Sequence, residues 1–85
     1  MTKREVLQRI ERGEVEGLPP EAIKWYKSYL KNIIRATLIA RGIEARRAWG
    51  ITERAVNSWC AAFDNEGLFQ AQEAINDVLA PFLGG

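Results

Sequence analysis

The chain has 85 residues, 47% of them hydrophobic, with twelve Lys and Arg against eleven Asp and Glu, enough for one domain that must pack efficiently to fold alone. It has no histidine, one cysteine and no glycine-rich phosphate loop; these gaps remove the commonest general base, an internal disulfide, a zinc site and a thiol–imidazole nucleophile, so the chain reads as a non-enzyme without cofactor or metal. All twelve basic residues lie at or before Arg54: residues 1–54 carry +5 (twelve basic, seven acidic) and residues 55–85 carry −4, an asymmetry that points to a polyanion partner for the first part.

The opening MTKREVLQRIERG is too charged for a secretory signal, and no run is long and apolar enough to cross a bilayer. With the lone cysteine, this implies a cytoplasmic protein without a membrane partner. The initiating Met and the closing Pro-Gly segment read as the ends of a complete small protein. A first helix is predicted over about 3–12, started by a Thr2–Glu5 capping box, striped by Val6, Leu7 and Ile10, and stopped by Gly13. EVEGLPP is then a turn, with Pro19 or Pro20 suited to the first position of the next helix.

The second helix, about 20–41, is the longest, with Ile23, Tyr26, Leu30, Ile33, Ile34 and Thr37 as its core face. Lys24, Ser28, Lys31 and Arg35 recur at helical spacing and form one polar, basic stripe. Trp25, Tyr26 and Tyr29 read as core or dimer contacts in preference to base-stacking platforms. Gly42 follows as a natural stop.

A compact unit spans about 43–65: a short helix at 43–49, a bend at Gly50 that needs positive φ, and a helix from about 53 capped by Thr52. Ala45, Trp49, Ile51, Val56 and Trp59 would face inward and set a near-perpendicular crossing. Cys60 and Phe63 join this inner face, Cys60 as a small hydrophobe. A last helix, about 70–79, would bury Ala71, Ile75, Val78 and Leu79 before Pro81 stops it. The fold class is therefore all-α, a compact single domain of four to five helices over residues 1–85 containing a helix-turn-helix.

In such a unit the second helix presents its early residues to the major groove. Thr52, Glu53, Arg54, Asn57, Ser58 and Ala61 are the recognition-helix candidates. Arg suits guanine, Asn suits adenine, Ser suits base or backbone, Glu53 could accept from a cytosine amine, and Ala61 lets the helix lie close or touch a thymine methyl. Lys31, Arg35, Arg41, Arg46 and Arg47 are the phosphate-contact candidates. Glu53 is the residue least compatible with a phosphate backbone.

The pattern A-R-R-A-W-G-I-T-x-R-A-V-N-S-W, with Glu66-Gly67-Leu68 after it, resembles the helix-turn-helix of transposases and related bacterial DNA-binding proteins near the Trp-repressor-like group. Leu18-Pro19-Pro20, Glu44-Ala45, Gly50-Ile51-Thr52, Ser58-Trp59 and Gly67-Leu68 occur in the order found in small alphaproteobacterial regulators of the CtrA-inhibitor (SciP) type. The resemblance covers about residues 18–69. It departs at Arg46, where such motifs place a small residue, and in a shorter link after the long helix. It implies sequence-specific double-stranded DNA binding by a nucleoid-associated transcriptional regulator of a bacterium or phage. A homodimer joined through the first helix, the last helix or both is expected, since these amphipathic ends lie outside the motif. The alternatives are a protein-interaction module, such as an adaptor or inhibitor of a transcription factor, and the DNA-binding part of a transposase.

Overall fold

The computed structural model describes residues 2–84. It contains four helices: α1 (Lys3–Glu11), α2 (Ala22–Ala40), α3 (Ala45–Glu66) and α4 (Leu68–Leu79). No strand occurs among the described residues. Each end follows from local chemistry. Glu5 N donates to Thr2 Oγ1 at 3.2 Å, satisfying one of the orphan amides of α1. The chain leaves α1 through Gly13 at φ 82°. The Arg41 and Gly42 amides close α2 on carbonyls of its last turn, and Gly42 takes φ 90°. The four residues 41–44 are all that separates α2 from α3.

α3 departs from the sequence reading. The expected bend at Gly50 is absent: residues 45–66 form one helix, and Gly50 is not among the glycines with positive φ. Thr52 is not an N-cap; its hydroxyl donates to the Ala48 carbonyl at 2.7 Å, a bond made inside a continuous helix. The helix-turn-helix placed at about 43–65 therefore does not form within that segment, and the described residues hold four of the expected four to five helices. The reason is in the register. Ala48, Ile51, Thr52, Ala55, Val56 and Trp59 are all buried, and their spacing of three and four is one helical stripe running unbroken past Gly50. Trp49 and Ala45, both expected inside, are exposed: Ala45 opens the helix and Trp49 sits at the edge of the stripe.

α2 and α3 run antiparallel. The Tyr26 and Trp59 rings lie 5.2 Å apart, Lys31 Nζ is 3.7 Å from Glu53 Oε1, and Arg35 lies 5.5 Å above the Trp49 ring. As the α2 number rises the α3 number falls, the signature of an αα-hairpin. α2 buries Ala22, Tyr26, Leu30, Ile34 and Leu38 at a spacing of four. Ile33 lies off this stripe and is exposed, against the sequence reading.

A single residue, Gly67, joins α3 to α4. Its φ of 95° and ψ of −177° lie in a region essentially reserved for glycine, which permits the reversal. α4 then buries Ala71, Ile75 and Leu79, with Val78 half-buried, as its spacing predicts. The segment after it returns to the start of α3, where Arg47 lies 5.7 Å over the Phe82 ring and Arg41 Nη1 donates to the Leu83 carbonyl at 3.3 Å. α1 contributes Val6 and Ile10 to the same core. At its centre Trp59 is fully buried, with Phe63 stacked at 5.0 Å on one side and Tyr26 on another.

Candidate nucleic-acid interface

The outer face of α3 follows from its inner one. With the buried stripe turned toward α2 and α4, Arg46, Gly50, Arg54, Asn57 and Ala61 recur at steps of four, four, three and four and share the opposite face. All five are exposed. From Arg46 to Ala61 the face runs about 22 Å along a straight helix. Its middle is flat: Gly50, Asn57 and Ala61 project little, while Arg46 and Arg54 project far. Arg47 flanks it on the side of Phe82.

Two features of α3 work against its own stability. Gly50 sits in an exposed helix interior, where an added Cβ would meet nothing within 4 Å. No packing constraint calls for glycine there, yet glycine costs a helix about 0.5–1 kcal/mol relative to alanine. The charges also oppose the helix dipole: Arg46 and Arg47 lie in the first turn, and Asp64 and Glu66 in the last. Each inverted charge forgoes about 0.3–1 kcal/mol at an exposed site. Glu44 at the N-cap position is the one charge placed with the dipole.

The sequence-predicted residues divide accordingly. Arg54, Asn57 and Ala61 lie on the outer face, with Ser58 half-buried at its edge. Thr52 is 1% exposed and points into the core, so it contacts no partner in this fold. Glu53 is turned to the α2 seam and paired with Lys31, which offsets the charge that fits worst beside phosphate. Of the predicted phosphate contacts, Arg46 and Arg47 flank the outer face. Lys31 and Arg35 line the α2–α3 seam beside it, and Arg41 is tied to Leu83 at the turn. The basic stripe of α2 is therefore engaged with α3 through two of its members and is not simply solvated.

Two residues of this surface were misread from sequence. Trp49 was assigned to the core and is 50% exposed, its ring stacked under Arg35. Gly50 was assigned to a bend and lies on the flat outer face. Treating 45–66 as one helix would have found Gly50, which lies opposite the 48-51-52-55-56-59 stripe; Trp49, seven residues before Val56, lies at the edge of that stripe on the α2 side.

The ionisable groups with shifted affinity lie away from this face. Tyr29 Oη donates to Glu11 Oε1 at 2.9 Å, and this bond, then burial, holds its phenol above the usual value of 10.0. Burial pushes Tyr26 up, opposed by a hydrogen bond with Gln72. Burial also raises the Cys60 thiol, opposed by Lys27. No group of three or more His, Cys, Asp or Glu that could hold a metal occurs among the described residues, and none of their helices is long and apolar enough to cross a membrane.

Compared with family models, curated proteins and solved structures, the chain matches none of them.

Proposed function

We propose that this protein binds double-stranded DNA through the outer face of α3, as a small sequence-specific regulator. The observation that carries this reading is the combination on one exposed helical face of Arg46, Arg54 and Asn57 with the small Gly50 and Ala61, held at a cost to helix stability. A single α-helix fits the major groove of B-DNA, and Arg and Asn are the side chains that read guanine and adenine edges there. Small residues between them let the backbone approach. Arg47, with Lys31, Arg35 and Arg41 beside the helix, supplies charge for phosphate. The reading needs no bend at Gly50; the outer face of α3 is exposed from Arg46 to Ala61 at the positions that share it. A regulatory role in a bacterial or phage cell belongs to the same proposal and rests on the motif resemblance.

Anisotropy of a labelled mixed-sequence duplex, followed by selection of bound sequences from a random pool, tests it. The wild-type chain binds at about 50 mM salt, and affinity falls steeply with added salt. Replacing Arg46 and Arg47 together by Ala lowers the salt slope by about two if each contacts a phosphate. Arg54→Ala and Asn57→Ala each cost about 1–3 kcal/mol on the selected sequence and little on others. Absence of wild-type binding at tens of micromolar and about 50 mM salt would overturn the reading and leave a protein-interaction module in its place.

A further inference from the structure

At the end of the molecule opposite the α2–α3 turn, the last residues of α1 and the first of α4 enclose an open groove of approximately 360 Å³, lined by Glu11, Arg12, Gly13, Leu68, Phe69 and Gln72. Phe69 is both wall and projection. It is 71% exposed, the most exposed of the large hydrophobic residues, while Leu68 beside it packs against the core. Phenyl rings are enriched where protein surfaces meet.

We propose that a second copy of this chain occupies the groove, with Phe69 of each protomer seated in the groove of the other. A two-fold interface must be self-complementary, and this patch contains both the knob and the hole. Its charges pair under the same operation. α1 with Arg12 carries Lys3, Arg4, Arg9 and Arg12 against Glu5 and Glu11, whereas residues 64–79 carry Asp64, Glu66, Glu73 and Asp77 and no base. An axis running along the groove sets the α1 wall of one protomer, where Arg12 lies beside a Glu11 that accepts from Tyr29, against the α4 side of its partner, where Glu73 follows Gln72 and no base occurs. Glu73 shares the face of Phe69, four residues on, and meets Arg12 in this arrangement. Among the described residues the Arg12 guanidinium pairs with the exposed Glu14, at 3.2 Å, a pair weak enough to exchange. The inference does not depend on nucleic acid, and the outer face of α3 takes no part in it.

Sedimentation equilibrium of the full chain without DNA, from about 10 to about 500 μM, the range in which a small interface associates, decides it. The mass should rise from 9.6 kDa toward twice that value. Phe69→Ser should weaken association at least about tenfold with an unchanged melting temperature, because the ring is exposed in the protomer. Arg12→Glu should weaken it, and Arg12→Glu combined with Glu73→Arg should restore it. A wild-type chain that remains monomeric throughout overturns the proposal. So does a dimer indifferent to Phe69→Ser, or a charge exchange that fails to rescue.

Discussion

Gly50 is where stability and the proposed function separate. It is helical and exposed, and an added methyl meets nothing. Gly50→Ala should therefore raise stability by about 0.5–1 kcal/mol, read as a higher urea midpoint at constant slope. The same methyl lies on the face proposed to meet DNA, so on that proposal duplex affinity should fall. A destabilised Gly50→Ala protein would mean that the glycine sits in a bend after all. Tyr29 gives a second residue-scale expectation. Its phenol is held above 10.0 by Glu11, so the folded state binds that proton more tightly than the unfolded chain. The contribution is complete below pH 10.0 and is lost as pH rises through the raised folded value. Tyr29→Phe should lower stability near neutrality by about 0.5–1 kcal/mol, and the gap should close in alkaline urea titrations. The Cys60 thiol, raised by burial, should react with a disulfide reagent at pH 8 more slowly than free cysteine, and reach the free rate only on unfolding.

At the scale of elements, Gly50 and Gly67 make an informative pair. Gly67 holds φ 95° between two helices without an intervening loop. Gly67→Ala should cost about 1–2 kcal/mol, a sign opposite to that of Gly50→Ala, and thermal denaturation of the two single variants would show it. The boundaries of α1, α2 and α4 were legible in the sequence to within two residues, because Thr2, Gly13, Gly42 and Gly67 act on their immediate neighbours. The interior of α3 was not legible in the same way. A glycine flanked by Trp49 and Ile51 is locally compatible with a bend or a helix, and nothing within a few residues decides between them. The candidate site inherited that ambiguity: Arg54, Asn57 and Ala61 came out on the exposed face under either reading, while Thr52 moved inside and Trp49 moved outside.

The whole molecule depends on one contact centre. Trp59 is fully buried against Tyr26 and Phe63, and its indole N–H has no hydrogen-bond partner among the described residues. Trp59→Ala should cost about 3–5 kcal/mol, a large share of the stability of a domain this small, and circular dichroism should show lower helicity or a depressed melting point. Amphipathic periodicity and capping residues, both short-range, determined from sequence alone that the chain is helical, where most of its helices start and stop, and that its first 54 residues hold all the positive charge. Only the tertiary structure decided that residues 45–66 are one helix. α2 and α4 together present the apolar wall that buries Ala48, Ile51, Thr52, Ala55, Val56 and Trp59. Burying that unbroken stripe outweighs the roughly 1 kcal/mol that glycine costs a helix, and no window of sequence contains the wall against which the comparison is made.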